Sequence, residues 1–519
     1  MNNISLFLVY PLLILVGIGV FAVMAFKEKM VKKTVYYCIQ NLLFWVVGGL
    51  LMANLQDQIS SLYKIEFETH IVVLMYVFGI LFFNAIFRPL FSVIMKYWLH
   101  SQKKLFIITG FLQILNFALV LVMCFTETTP WMLIINIVLI GWVLALNTIQ
   151  QVFFADQHYY KISSISVAFF IGTVNLLGNS IGFYIQSLTN VLGNVVLIST
   201  APVMSIILIL SLYMVFKTSE DTTQPGLFGE DFLIELKPYK KRTGYKLLGL
   251  AIVLGVVFAA NNSTTTMNLM IAFMHQDGFN YEEIKASISL FKASIFLLPM
   301  ILSYPIYRLL FKRIGIYFSM MILASVLFSA FLFLIFLHNG IVFLIMLMIS
   351  NAMYFAIFQA LFGLSIAWHF RRKSIIGLPG VIATGSILVK WLLDISLSIL
   401  DSSSDSFLFN TNKLMDYINP TNPNSSGMLS ELEITSINNL GSSILLFGAC
   451  LILVWFCLFQ FWWKEVIADE NDISAAQFKM KKIVQKTFIS RAREQVTIKS
   501  INEEISSKFK EDEFSELEE

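Results

Sequence analysis

Long apolar segments alternate with short polar ones along this chain, a pattern typical of a helical membrane protein. One such segment lies within residues 1–33, and about six more lie on each side of a polar stretch at 217–244. The predicted spans of the first set are 34–55, 70–98, 104–126, 130–155, 161–187 and 191–216. Those of the second set are 245–272, 286–310, 316–338, 340–368, 374–400 and 440–464. The sequence therefore predicts an all-α protein with two six-helix bundles, 34–216 and 245–464, and one extra N-terminal transmembrane helix.

Composition supports a membrane protein and excludes an ordinary soluble one. The chain is 57% hydrophobic and only 13% charged, with a mean hydropathy of +0.76, whereas soluble domains carry about 25% charged residues. A net charge of +3 gives no reason to expect a nucleic-acid partner. The 4 cysteines lie in apolar spans without metal-ligand spacing, so we predict buried thiols and no metal site.

The first apolar segment, Ile4 to Phe26, has the alternative of being a signal peptide. No basic residue precedes it, and it is longer than the usual apolar core of about 7–15 residues. Its lysines follow it instead, beginning at Lys27. We therefore predict a retained span with its N-terminus outside.

Basic residues keep to alternate loops and so predict the orientation. Lys103 and Lys104 lie on the same predicted side as the basic run at 237–242, whereas acidic residues such as Asp57 and Glu66 lie on the other side. Cytoplasmic loops carry the excess of Lys and Arg. The middle loop 217–244 and the C-terminus are therefore predicted to be cytoplasmic, in a multi-pass protein of the plasma membrane.

Two further segments lie outside the predicted bundles. Residues 401–439, rich in Ser, Asn and Pro, are predicted to form an external loop long enough for a small cap. Residues 465–519 form a polar cytoplasmic tail, basic first and acidic at its end. Apolar residues within the tail leave two interpretations open, a solvated helix or a helix that binds the membrane surface or a cytoplasmic partner.

The turn from Arg308 to Gly315, with the sequence RLLFKRIG, carries a resemblance to a known family. Arg313 and Gly315 match the loop pattern G-x-x-x-D-R-x-G-R-R of the major facilitator superfamily, while Lys312 stands at the position of the acid and Arg308 at that of the first glycine. A second, fainter point of similarity is the glycine pair in 178–182, which resembles the glycine-rich fifth helix of that superfamily. The resemblance implies six plus six helices around a central cavity. Because Lys312 replaces the acid, the loop lacks the residue that the superfamily's usual charge lock between this loop and a helix needs.

Ionisable residues within the predicted spans are candidates for coupling or gating, because a charge in hydrocarbon is costly unless it is paired or hydrated. Lys390 and Asp394 are four residues apart, so they share one helix face. Lys292 lies on the second span of the second set, and Arg88 precedes a proline in the first set. The alternative is that these long side chains reach the membrane surface.

Neutral polar residues are the candidates for binding a substrate, because amides and hydroxyls bind uncharged solutes without burying a fixed charge. The predicted binding residues are Gln40, Asn41, Asn147, Gln150, Asn261, Asn262 and Thr265. Further amides within the spans include Asn175, Asn179 and Gln359. Such residues also join helices together, which is the alternative for each of them.

The sequence predicts a secondary active transporter that moves a small polar solute by alternating access, with a proton or cation as a candidate coupling ion. The chain has no phosphate-binding loop, HExxH or GxSxG motif, so we predict neither an enzyme nor a bound cofactor. Three alternatives remain open. They are a flippase for lipid or polysaccharide, a membrane glycosyltransferase that uses lipid-linked sugars, and a scaffold for the tail.

Overall fold

The computed structural model describes residues 5–28, 30, 32–62, 102–126, 129–158, 163–218, 243–372, 411–420 and 429–515, with isolated residues at 382, 408 and between 83 and 99. All of its regular elements are helices. They are α1 (Tyr10–Lys27), α2 (Lys32–Leu62), α3 (Gln102–Phe125), α4 (Pro130–His158), α5 (Ser164–Leu192), α6 (Val195–Thr218), α7 (Thr243–Asn261), α8 (Thr264–Gln276), α9 (Tyr281–Ile306), α10 (Ile316–Phe336), α11 (Gly340–Arg372), α12 (Thr411–Ile418) and α13 (Glu431–Ser515). Short π-helical turns, Ser5–Val9 and Tyr307–Phe311, precede α1 and follow α9.

Within these described ranges, 9 helical stretches are long and apolar enough to cross a membrane. One is the N-terminal segment, and the others coincide with predicted core spans. Shorter apolar helices at Trp131–Leu146 and Ile295–Phe311 fall within two more predicted spans. The predicted spans 70–98 and 374–400 lie outside the described residues except at isolated positions. The division into two six-helix bundles stays a prediction, and we use "first half" and "second half" for 34–216 and 245–464.

Helices α2 and α5 pack with their backbones in direct contact. A Cβ atom at Gly182 would lie 2.3 Å from the backbone nitrogen of Leu50, and one at Gly178 would lie 2.8 Å from the carbonyl oxygen of Leu42. On the facing helix, a Cβ atom at Gly49 would meet the backbone of α5 at 2.7 Å. Small residues allow helices in a membrane to approach this closely. These three glycines therefore set the spacing of the first half.

The first span of the second half is broken into α7 and α8, where the sequence predicts one helix over 245–272. The Ser263 hydroxyl oxygen accepts a hydrogen bond of 3.2 Å from the backbone nitrogen of Thr266 and so caps α8. The Thr266 hydroxyl in turn donates to the carbonyl oxygen of Ala260 at 2.8 Å. The break leaves backbone N–H and C=O groups without helical partners, and these two side chains form hydrogen bonds with them. The break therefore costs less free energy within an apolar span.

We call the end of the molecule where α2 and α5 begin the inner end, and the charge pattern predicts that it faces the cytoplasm. Helix α1 runs along the contact between α5 and α9. Tyr10 stacks on Tyr184 of α5 with 5.1 Å between the ring centroids. A Cβ atom at Gly17 would meet both Leu177 of α5 and Met300 of α9. The extra helix therefore packs against both halves.

The segment 401–439 and the last span differ from the prediction in detail. A short helix, α12, lies within the predicted loop, and Thr411 at its start donates a hydrogen bond of 2.8 Å to Asn268 Oδ1 of α8. Helix α13 begins at Glu431 rather than at 440 and continues to Ser515 without interruption. The predicted tail is thus helical through Ser515 and continuous with the last span.

Candidate functional site

Among the described helices of the first half, α5 packs most closely against α9 and α11 of the second half, and we call this contact the seam. At its inner end, Ser166 Oγ lies 2.5 Å from Tyr307 Oη. The rings of Phe169 and Phe170 lie 5.6 and 5.3 Å from the Tyr307 ring, and Phe311 lies 5.1 Å from Phe169. These five side chains, which we call the inner layer, close the inner end of the seam.

A carboxylate from α13 also holds the first turn of α5. Glu470 is only 2% exposed, and its carboxylate lies within hydrogen-bonding reach of Ser163, Ser164 and the backbone N–H of Ile165. The first N–H groups of a helix have no partner within the helix, so carboxyl oxygens placed there can accept hydrogen bonds from them. Helix α11 touches the same turn, because a Cβ atom at Gly363 would lie 2.6 Å from Ile165 Cα. Two second-half helices therefore hold the beginning of α5.

Outward of the inner layer, side-chain amides gather along the seam. Gln359 of α11 reaches α5 at Gly172, where a Cβ atom would lie 2.7 Å from Gln359 Nε2. Asn175 and Asn179 follow Gly172 by three and seven residues, so they lie on the same face of α5. The seam therefore becomes polar just beyond the layer that closes it.

Asn41 of α2 lies at the same height in the bundle as these amides. The Trp45 Cβ atom would lie 2.7 Å from a Cβ atom at Gly178, so these two residues are level. Asn41 comes one turn before Trp45, and Asn175 comes nearly one turn before Gly178, so the two asparagines are level as well. We call Asn41, Asn175, Asn179 and Gln359 the amide cluster.

Three members of the amide cluster are buried and Asn179 is half-buried, and several of its polar atoms are unused. Asn41 is 0% exposed and interacts with the Tyr37 hydroxyl, but among the described residues neither of its amide atoms makes a hydrogen bond of normal distance and angle. Within the described part of the chain, Gln359 Oε1 and Asn179 Oδ1 also lack a partner. An unsatisfied buried polar group costs about 1–3 kcal/mol. A polar ligand that bonded to these atoms would relieve that cost.

Asn261 and Asn262, which the sequence predicts to bind substrate, bond to α11. Asn351 Oδ1 accepts hydrogen bonds from the Nδ2 atoms of Asn261 and Asn262 at 3.0 and 2.8 Å. The Ser350 hydroxyl donates to Asn261 Oδ1 at 2.7 Å, and the predicted Thr265 hydroxyl bonds to the serine that caps α8. These bonds join helices of the second half. Sequence reasoning missed Asn351, although an asparagine within an apolar span was a signal for it.

Gln40 is 1% exposed, and its backbone carbonyl oxygen accepts a hydrogen bond of 3.3 Å from the Ser211 hydroxyl of α6. Its side-chain Oε1 has no hydrogen-bond partner among the described residues. Gln40 is rotated about 100° around the α2 axis from Asn41, so the two residues lie on different faces of α2. Asn147, Gln150 and Lys292 lie on α4 and α9, but their side chains are outside the described part of the structure. Arg88, Lys390 and Asp394 lie outside the described residues altogether.

Solved structures share this architecture. The nucleoside transporter NupG matches with a TM-score of 0.51 and 14% identity, over 83% of this chain and 99% of that one. A variant of the E. coli fucose:proton symporter FucP gives 0.50 and 13% over 81% and 98%, and a bacterial homologue of the iron transporter ferroportin, outward-facing, gives 0.50 and 12% over 82% and 99%. No protein-family model and no curated protein sequence matches the chain.

The chain has the major facilitator superfamily fold. The all-α membrane fold that the sequence predicts, with its extra N-terminal helix, is therefore confirmed, while the bounds of the two bundles stay a prediction. At about 13% identity the similarity extends to the fold alone.

The turn after α9 is basic, and the acidic residue that pairs with it lies outside this turn, at the end of α1. Lys312 Nζ lies 2.9 Å from Glu28 Oε2, at the end of α1, and Glu28 Oε1 accepts a hydrogen bond of 3.3 Å from Tyr304. Arg308 lies near the same tyrosine. Gly315 has φ 91°, a conformation that favours glycine, and begins α10. Arg313, the remaining residue of the predicted motif, is exposed.

Proposed function

We propose that this protein is a membrane transporter that binds a small, neutral polar solute at the amide cluster and moves it by alternating access. The observation that carries the proposal is the unused amide atoms of Asn41, Asn179 and Gln359, which lie directly outward of a closed inner layer. Amides bind hydroxyl, carbonyl and N–H groups without requiring a charge on the solute. Sugars and nucleosides have these groups.

The contacts across the seam fit a carrier in one of its two states. The inner layer consists of ring contacts and one hydrogen bond between hydroxyl groups, which separate without breaking a covalent or metal bond. With the inner end predicted to be cytoplasmic, closure there corresponds to an outward-facing carrier, the state of the ferroportin homologue. Two of the structural neighbours carry fucose and nucleosides, which supports solutes of this size.

The position of α1 favours a water-soluble cargo over a lipid. The helix covers the α5–α9 contact, and its outward residues Leu12, Leu15 and Phe26 are 54%, 66% and 81% exposed. A lipid-flipping protein needs a lateral opening between its halves. Helix α1 covers the place where such an opening between α5 and α9 would lie. The flippase alternative therefore has less support than solute transport.

The test is uptake by the purified, full-length protein in proteoliposomes, with radiolabelled fucose and uridine as probes, with and without a proton gradient. We expect accumulation of at least one probe over empty liposomes, and a loss of at least about tenfold in Gln359→Leu, the cost of leaving a ligand's polar group unpaired. Asn116→Leu is the matched control, because Asn116 is also 0% exposed and has no hydrogen-bond partner among the described residues, but lies on α3 within the first half. Uptake that Gln359→Leu leaves unchanged would contradict the proposed site, and failure with both probes would contradict the proposed substrate class.

A further inference from the structure

The ion pair between Glu28 and Lys312 joins the end of the extra helix α1, which leads into the first half, to the second half. Lys312 directly follows the π-helical turn at the end of α9 in the second half, while Glu28 lies four residues before Lys32, the first residue of α2. The segment 29–31 that separates Glu28 from α2 spans at most about 14 Å. The Glu28 carboxylate is therefore tethered to the inner end of the first half.

The surroundings of the pair are arranged for a carboxylate. Both oxygens of Glu28 accept hydrogen bonds from Lys312 Nζ, at 3.2 and 2.9 Å, and the Tyr304 hydroxyl donates a third bond. The Glu28 side chain is only 14% exposed, compared with 51% for Lys312. Arg308 and Arg313 add positive charge to the same turn. Without Glu28, none of the described bonds would offset the Lys312 charge.

The same residues sit beside the inner layer. Tyr304 contacts Phe170 of α5 with 6.4 Å between ring centroids, and Tyr307, three residues later, bonds to Ser166. Met24, one turn before Glu28, is 0% exposed and belongs to the core that contains Phe169 and Phe170. The end of α1 thus packs on the residues that close the seam.

We propose that Glu28 is an ionic latch that holds the inner end closed, with the extra helix supplying the acid that the loop after α9 lacks at Lys312. When the inner end opens, α5 and α9 separate there, and α1 cannot keep its contacts with both helices. The Glu28–Lys312 pair and the Tyr304 bond are contacts that opening strains or breaks. Loss of the latch therefore raises the population of the open state. The inference rests on the proposed alternating access but concerns a different property, the balance between two states.

Cys38 provides a reporter for that balance. It is 0% exposed, lies on α2 about 9 Å from Lys32 along the helix axis, and shares the core of the inner layer. A full-length protein with Cys124, Cys450 and Cys457 replaced by serine retains this one thiol. The rate at which a membrane-impermeant maleimide labels Cys38 from the inner side then measures opening, and the measurement needs no solute.

We expect Glu28→Gln and Glu28→Lys to raise the labelling rate about two- to fivefold, as expected for a partly exposed ion pair. The charge-swapped double variant Glu28→Lys/Lys312→Glu should return the rate to that of the parent, and this rescue also shows that the variants fold. Glu465→Gln is the matched control, because its 2.7 Å pair with Lys246 joins α13 to α7, away from the seam, and its loss should leave labelling unchanged. Unchanged labelling in Glu28→Gln, or a double variant as fast as Glu28→Lys, would overturn the latch. If labelling responds as expected but no solute is transported, the proposed function fails and the latch stands.

Discussion

Ser166 and Tyr307, which are 141 positions apart in the sequence, share a hydrogen bond of 2.5 Å between their hydroxyl oxygens at the inner end of the seam. Ser166 lies in the first turn of α5, and Tyr307 directly follows α9. The bond therefore joins the first half to the second at a buried position. It is surrounded by aromatic rings, so water does not compete for it easily.

Replacing Tyr307 with phenylalanine keeps the ring contacts and removes this bond. A hydrogen bond contributes about 0.5–1.5 kcal/mol, so we expect the inner end to open more often and Cys38 to be labelled about two- to tenfold faster. Tyr317→Phe is the control, since the Tyr317 hydroxyl bonds to Gln460 within the second half at the same 2.5 Å distance. Equal labelling rates in the two variants would show that the Ser166 bond does not restrain the seam.

Gly182→Ala should destabilise the first half. The new Cβ atom would lie 2.3 Å from the Leu50 backbone nitrogen and from the Val46 carbonyl oxygen, and backbone atoms cannot move aside cheaply. We expect a loss of about 1–3 kcal/mol, the usual cost of overpacking, measured as a lower thermal unfolding temperature in detergent. Gly19→Ala on α1, where nothing lies within 4 Å, should have no such effect. A Gly182→Ala protein as stable as Gly19→Ala would refute the close α2–α5 contact.

Asn351→Ala tests whether the α7–α11 amides are structural. It removes the partner of Asn261 and Asn262, and each interhelical bond in a membrane contributes about 0.6 kcal/mol. We expect a total loss of about 1–2 kcal/mol in unfolding experiments. Asn116→Ala should be neutral or stabilising in the same assay, because Asn116 is buried without a partner. Equal losses in the two variants would mean that the asparagine network adds no stability.

Glu470→Gln should loosen the first turn of α5. The neutral amide keeps the size of the side chain but has one acceptor oxygen instead of two, so it can accept fewer hydrogen bonds from this turn, each of which contributes about 0.5–1.5 kcal/mol. We expect greater hydrogen–deuterium exchange at residues 164–167 and little change at the first turn of α10. No difference in exchange at the α5 N-terminus would show that the carboxylate is not a cap.

The basic turn shows what sequence similarity could and could not predict about the site. Arg313 and Gly315 pointed to the superfamily fold, and the observed fold agrees. The partner of Lys312 was not predictable, because Glu28 is 284 positions away and only the packing of α1 brings it close. The superfamily pattern has its acid within the loop, but here the acid comes from the extra helix.

The asparagines of the predicted binding site also show what the sequence could and could not predict. Asn41, Asn261 and Asn262 were all predicted to bind substrate because each is a polar residue in an apolar span. Periodicity along one helix cannot show which neighbouring helix offers a partner. Asn351 satisfies Asn261 and Asn262, whereas Asn41 is left with unused atoms opposite α5. The amide cluster therefore became visible only when the helices were placed side by side.

The sequence by itself determined the membrane class, most of the span positions and a sidedness prediction, because these depend on local hydrophobicity and on the charges of the loops. Tertiary structure decided which helices meet at the seam, where the span 245–272 breaks and which polar atoms remain unused. These properties depend on contacts between residues far apart in the sequence, such as Gly172 with Gln359. In a chain whose spans are all apolar, hydropathy alone cannot distinguish one helix pairing from another.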